Sequence, residues 1–215
     1  MAEQETETEN TTTPYAVAAR ELLRDTLLDA GGQLLGEQPW PTVTMADVAR
    51  AAGVSRQTLY KEFGSRLEFE QALVLREADG FLDAVEEPIA SHHDEPAVAL
   101  ASAFDAFLGA AAAHPIVREL LTGQRTEDLL PVITTHQEAL LTHAVDRLGA
   151  MIDAGWPGVD AGDARLLAET AGRLAVSYVA LPSSPSGLTA DGIATLLGPW
   201  IENNLVPRPA GGPAG

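Results

Sequence analysis

Apolar residues recur along this chain at intervals of three and four, the period of a helix face, and no segment keeps the strict alternation of a half-buried strand. An all-helical chain is therefore predicted. Thr13-Pro14 opens a first helix, proline suiting the first helical position, and Leu22, Leu23, Leu27, Leu34 and Leu35 carry its apolar face to about Glu37. Residues 44–63 read as two short helices around Gly53, and a long helix runs from Arg66 to about Ala90. Pro96 starts another, with Leu100, Phe104, Phe107, Leu108 and Ala111 on one face, which stops at His114-Pro115. A short helix over 116–121 stops at Gly123. From Pro131 to Ala154 the residues Ile133, Leu141, Ala144, Leu148, Met151 and Ile152 share a face, with Gln137 in its middle. Asp160 and Thr189 cap the last two helices, 160–181 and 189–205. The first of these is apolar around most of its circumference, so burial on two sides is expected. Residues 1–13 and 207–215 read as disordered tails, by polarity and by Pro and Gly content respectively.

Residues 44–63 are the most informative. Val48, Ala49, Ala52, Val54, Leu59 and Phe63 supply the inward positions of a helix pair, with small Ala49 where the helices approach and Gly53 at a turn that favours positive φ. Thr44 with Asp47, Ser55, and Ser65 with Glu68 mark three helix starts. A pair of this spacing is a helix-turn-helix, whose second helix enters the DNA major groove. The string Val54-Ser-Arg-Gln-Thr-Leu-Tyr-Lys-Glu-Phe-Gly-Ser-Arg66, within residues 19 to 75, resembles the DNA-binding domain of the TetR family of bacterial transcriptional regulators. The resemblance implies a three-helix helix-turn-helix domain over 14–64, a six-helix ligand-binding and dimerisation domain over 65–206, and a homodimer that represses until a small molecule binds. Tyr15-Ala-Val-Ala-Ala-Arg-Glu-Leu-Leu-Arg24 and Leu196-Leu-Gly-Pro-Trp-Ile201 are further similar to actinobacterial regulators of alkane-hydroxylase operons, which respond to long-chain fatty acids. The chain departs from the family pattern at Gly31-Gly32, inside the first helix, and at Trp40-Pro41, where the family usually has an aromatic after a glycine.

The 215 residues suffice for one helical body with a small appended domain. The absence of cysteine removes disulfides, thiolate metal sites and cysteine catalysis. An acidic, polar start and the lack of any apolar run of about 18 residues point to a cytoplasmic protein without a membrane role. A net charge of −18 looks wrong for a DNA binder, but residues 71–215 carry −12 of it. Between Arg50 and Arg66 the balance reverses: Arg50, Arg56, Lys61 and Arg66 stand against Glu62 alone, and Lys61 is the chain's single lysine. A field repulsive overall and attractive locally demands accurate docking.

On a helical wheel Gln57 and Lys61 point outward from the second motif helix, with Thr58 and Tyr60 on the flanks. Gln57 suits a base edge and the Thr58 methyl a thymine methyl, whereas Lys61, Tyr60 and Thr44 suit phosphate oxygens. Arg56 takes a phosphate or second-strand role, and Arg66 completes the expected DNA-contacting set.

For a ligand, Phe104, Phe107, Leu108, Leu130, Ile133, Leu148 and Tyr178 could line a cavity between helices, although such stripes also build ordinary cores. Gln137 would be a buried amide needing a partner. Arg118 or Arg173 could neutralise an acidic ligand, yet Glu169 lies one turn before Arg173 and offers it a plain ion pair. His136 and His143 stand about 10 Å apart on a helix, too far to share a metal, and no nucleophile elbow, phosphate loop or paired-carboxylate signature stands out. No catalytic residue, metal or cofactor is expected. The reading is a dimeric repressor that binds double-stranded DNA at an inverted repeat through its motif helices, pairs through helices 160–181 and 189–205, and is released by a small hydrophobic effector, a long-chain fatty acid or acyl-CoA. The alternative is a helical lipid carrier without a DNA role, which leaves the motif unexplained.

Overall fold

The structure, a computed structural model, describes residues 14–114, 117, 134–180 and 189–205. Among these it is all-helical, without strands: α1 (Pro14–Glu37), a 3-10 turn (Trp40–Thr42), α2 (Met45–Ala51), α3 (Arg56–Phe63), α4 (Arg66–Ser91), α5 (Pro96–Ala113), α6 (Gln137–Gly155), α7 (Ala161–Ala180) and α8 (Ala190–Asn204). Of the predicted helix over 116–121 only Val117, helical and buried, is described, and both tails lie outside the described residues.

The helix starts are encoded locally. Thr44 Oγ accepts the Asp47 N–H at 3.2 Å and the Asp47 carboxylate accepts the Thr44 N–H at 3.0 Å, a reciprocal capping box. Ser55, Ser65 and Thr189 accept from Thr58, Glu68 and Gly192 at 3.0, 3.1 and 3.1 Å. Asp160 takes the Gly162 N–H at 2.8 Å. Each such bond satisfies a donor that the helix leaves open and is worth about 1 kcal/mol.

Two cores share α4. The first, from α1 to the N-terminal half of α4, is built on Leu27, Val48, Leu59 and Phe69, with Phe63 and Phe69 edge to face at 4.9 Å between centroids. Here the glycine pair inside α1 finds its reason, because a Cβ at Gly31 would lie 2.7 Å from Phe69 Cζ. Gly31 lets α1 and α4 approach closely, and α1 stays continuous. Arg76 fastens the same two helices, donating to the Asp25 carbonyl at 2.8 Å and to the Asp29 carboxylate. Leu22 differs from expectation: it is 70% exposed, because α1 projects past its neighbours and packing starts only at Leu23 and Leu27.

The second core joins the C-terminal half of α4 to α5–α8 through Val85, Ile89, Ala99, Ile152, Trp156, Ala168 and Ile201. Helix α7 lays its small-residue side on α6, Gly172 standing where a Cβ would meet Leu141 Cδ1 at 3.4 Å, and α8 crosses α5 near Ala97. Helix α5 has the length and mean hydropathy (1.5) of a membrane span, and it packs here between α4 and α8. Within one chain α7 is covered on one side only: Leu166 is 54% exposed, and Leu196 on α8 is 76% exposed.

A charged staple closes the second core. Asp79 on α4 accepts from His143 Nε2 at 2.7 Å and from Arg147 at 2.9 Å on α6, and Arg147 also reaches Asp83 at 3.0 Å. Burial alone would raise the Asp79 carboxyl, but the hydrogen bonds and charges of His143 and Arg147 outweigh it and hold the group below its usual range. A carboxyl depressed in the folded state stabilises above its unfolded pKa, and that contribution is lost as pH falls through the folded value. Asp79→Asn should therefore lower stability at neutral pH, by at most about 1 kcal/mol because the pair is half exposed and screened. The loss should shrink below about pH 4, so urea melts of both proteins at pH 7 and pH 3 check it.

Candidate nucleic-acid interface and ligand cavity

The motif folds as a unit because its turn is closed by backbone alone. Gly53 takes φ 72°, and Val54 donates to the Ala49 carbonyl at 2.9 Å. Val48, Ala49 and Leu59 are buried between α2 and α3, with Ala52 and Val54 packed against them. This fixes the outer face of α3, where Gln57 and Lys61 are exposed, and Lys61 forms no ion pair among the described residues. Arg56 is exposed as well, its guanidinium 5.2 Å above the ring of half-buried Tyr60. Thr58 is half-buried, its hydroxyl 2.8 Å from that of Ser55. Thr44 stands exposed at the head of α2, capping it. On α3, then, Arg56, Gln57 and Lys61 are exposed from the first turn to the last, and Thr44 is exposed at the start of α2.

Two charged residues take positions that spacing did not reveal. Glu62, the single acid of the basic stretch, is turned under α3 and accepts from Arg20 at 2.9 Å and Arg24 at 3.5 Å on α1, its side chain only 8% exposed. The α3 face is thereby freed of its carboxylate. Arg66 is turned inward too. It bonds Glu70 at 2.7 Å, the Trp40 carbonyl at 3.2 Å and the Val43 carbonyl, and its guanidinium lies 5.3 Å from the centre of the Trp40 ring. Placed at the first turn of α4 beside the 3-10 turn and its cap Val43, it spends its donors on the fold rather than on an outer face. Trp40 completes the clasp, donating its indole N–H to Glu70 at 2.9 Å.

Between α4, α5, α6 and α7 lies a cavity of about 210 Å³ with almost wholly apolar walls. Phe104, Phe107 and Leu148 line it as expected, joined by Leu82, Val85, Ile89, Ala103 and Trp156. Trp156, in the loop after α6, is buried and donates to the His93 carbonyl at 2.7 Å. Its position in a Gly-Trp-Pro-Gly loop masked it, although a tryptophan among turn residues is itself a sign of burial. Glu70, Glu77 and His114 also line the cavity.

Other expected ligand contacts fall elsewhere. Leu108 and Tyr178 are half-buried but do not line the cavity, and Arg173 is exposed and paired with Glu169 at 2.7 Å. Gln137 is exposed at the first position of α6. The periodicity assumed one helix from residue 131, whereas the chain breaks at His136, which takes the buried place and rotates the register. Arg118, Leu130 and Ile133 lie outside the described residues. No group of three metal-binding side chains occurs among the described residues.

Substitutions on α3 separate reading from positioning. Lys61→Ala should weaken all DNA sequences alike and reduce the salt slope by about one unit, whereas Gln57→Ala should lose about 1–3 kcal/mol at mainly one base pair. Binding titrations at several salt concentrations on a panel of operator variants distinguish the two.

Comparison with known proteins agrees with this geometry. Residues 27–73 match the family described as bacterial regulatory proteins of the tetR family, and residues 95–199 match the bacterial tetracyclin repressor C-terminal domain. The chain is 40% identical to the HTH-type transcriptional regulator AlkX of Mycobacterium tuberculosis over 193 residues, 90% of this chain and 92% of that protein. The crystal structure of the TetR family repressor AlkX from Dietzia sp. strain DQ12-45-1b, described as implicated in biodegradation of n-alkanes, superposes with a TM-score of 0.73 at 33% identity, covering 85% of this chain and 97% of that one. A TetR-family regulator from Streptomyces coelicolor A3 shares the fold at 14% identity, with a TM-score of 0.56 over 86% and 94% of the two chains. The chain thus belongs to the TetR family of bacterial transcriptional regulators, and is a DNA-binding transcriptional repressor rather than an enzyme.

Proposed function

We propose that this protein works in the cytoplasm as a homodimer, holding an inverted-repeat operator until a long-chain fatty acid or its thioester enters the cavity and releases the DNA. In this reading residues 14–64 bind DNA and residues 65–206 bind the effector and the second subunit. The observation that carries it is the continuity of α4. Its Phe69 and Leu73 belong to the core that orients α3, and Ala78, Leu82, Val85 and Ile89 of the same helix line the cavity. A chain filling the cavity acts on one rod whose other end sets the spacing of the reading helices. Each buried methylene is worth about 0.8 kcal/mol, so a long chain has ample binding energy. It releases DNA only as far as it favours the misspaced state, since equal binding to both states shifts nothing.

Pairing is supported by the open apolar side of α7 and α8, marked by Leu166 and Leu196, which a two-fold four-helix contact would cover. The n-alkane connection of the similar Dietzia repressor favours an unbranched chain as effector. Gel shifts on the DNA beside the protein's own gene test the DNA half. A dimeric complex should form and should collapse when either half-site is scrambled. A monomer in light scattering, or indifference to scrambling, would point to a lipid carrier instead.

A further inference from the structure

The first turns of α1 take no part in either core: residues 14–22 are all exposed, and packing begins at Leu23. Two arginines on this stretch nevertheless have fixed partners on α3. Arg24 lays its guanidinium 4.4 Å from the centre of the Phe63 ring and reaches Glu62 at 3.5 Å. Arg20 bonds the same carboxylate through Nε alone, at 2.9 and 3.2 Å from its two oxygens. Its side chain stays 68% exposed, and its Nη1 and Nη2 have no hydrogen-bond partner among the described residues. Those two nitrogens form the fork with which arginine grips a phosphate. Tied at Nε, the fork has already lost much of the freedom that binding would otherwise cost.

Its place relative to DNA follows from α3. At helical spacing Arg56 and Tyr60 fall on one side of the outward line through Gln57 and Lys61, and Thr58 and Glu62 fall on the other. A helix with its side chains is about 10–12 Å across and the major groove about 12 Å wide, so a phosphate ridge runs along each flank. The first flank offers Arg56 and the Tyr60 hydroxyl. The second, on α3 alone, offers the Thr58 hydroxyl and a carboxylate that repels phosphate. Arg20 and Arg24 cover that carboxylate, and two positive charges against one negative leave the flank cationic.

We propose that Arg20 is a DNA-contacting residue: Glu62 holds its Nε–H while Nη1 and Nη2 grip a backbone phosphate on the ridge opposite the one met by Arg56 and Tyr60. The assignment rests on α3 lying in the major groove. It makes Glu62, the one acid of the basic stretch, a positioning residue for a cation that α1 supplies.

The test measures affinity by fluorescence anisotropy across a salt series, on a labelled duplex carrying the DNA beside the protein's own gene and on single-base variants of it. Arg20→Gln should weaken binding about ten-fold on every duplex alike and lower the salt slope as Lys61→Ala does. Arg20→Lys, which keeps the charge but not the fork, should return the slope to the wild-type value, with an affinity between the two. Glu62→Ala removes a negative charge from the flank, which by charge alone would tighten binding; it should instead weaken binding about three-fold or more, because Arg20 is released. In the Arg20→Gln background the same substitution should tighten binding, a reversal that damage to α3 does not produce. Arg20 is exposed, so its variants should stay folded, which thermal melting checks. Unchanged affinity and slope in Arg20→Gln, with Lys61→Ala still lowering the slope, would reduce the contact to a surface ion pair between α1 and α3 and overturn the proposal while the docking of α3 stands. A Glu62→Ala effect of the same sign in both backgrounds overturns the positioning role. If neither Lys61→Ala nor Arg20→Gln moves the slope, the docking of α3 falls as well.

Discussion

Phe69→Ala should weaken operator binding severely while leaving the far end of the cavity intact. The ring is wholly buried, sits edge to face with Phe63 at 4.9 Å, and fills the space that the bare Cα of Gly31 opens between α1 and α4. Truncation removes its transfer energy and leaves a hole that these crossing helices cannot collapse into, a cost of about 3–5 kcal/mol. Domains of this size have only about 5–15 kcal/mol in total, and the loss falls on the core that orients α3. Urea unfolding should show the deficit, and fluorescence anisotropy should show operator affinity reduced by about two orders of magnitude or more. Chain-ligand binding at Phe104 and Leu148, in the second half of the molecule, should change little. A loss of stability below about 1 kcal/mol would mean that Phe69 is not the centre of that core.

The second large effect is expected from filling the cavity. Ala103 is buried on α5 beside Phe104 and lines the cavity wall. Ala103→Phe puts a ring where part of a ligand chain would lie. Displacing about four methylenes at about 0.8 kcal/mol each removes roughly 3 kcal/mol, a loss of effector affinity of about 100-fold or more. Overpacking itself should cost about 1–3 kcal/mol of stability, or less where the ring occupies empty space. Operator binding should persist, so the variant should repress without being released, a separation that calorimetry with the effector and anisotropy with the operator can measure. An unchanged effector affinity would place the ligand elsewhere.

The legible and illegible parts of this chain divide by the range of the interactions involved. Helix starts at Thr44, Ser55, Ser65 and Thr189 are caps made within three residues, so spacing alone predicts them, and the structure has a side-chain bond at each. The inward positions of the motif follow from the same short periods. Arg66, Glu62 and Gln137 were not legible, because each is decided by a neighbour distant in sequence or by a break in the helix. Arg66 meets carbonyls more than twenty residues earlier, and Glu62 meets arginines on α1. Gln137 changes face because His136 ends the preceding turn. The glycine pair of α1 stands out in sequence only as a departure from the family pattern, and its reason is a distant neighbour, Phe69 packed against Gly31. The polar end of the cavity has the same origin: His114 read as a helix stop before proline, and only packing brings its ring to Glu77 on α4.

The coupling of an apolar cavity to the DNA-reading helices is the centre of this account, and fluorescence anisotropy of the protein–operator complex tests it most directly. Saturated acids and acyl-CoAs from C8 to C18 are added to the complex at fixed protein and salt. Dissociation should strengthen with chain length until the cavity is full and then level off, and the same chains should lose their effect on Ala103→Phe. Tight binding of these chains by calorimetry without release of DNA at any length would contradict the coupling.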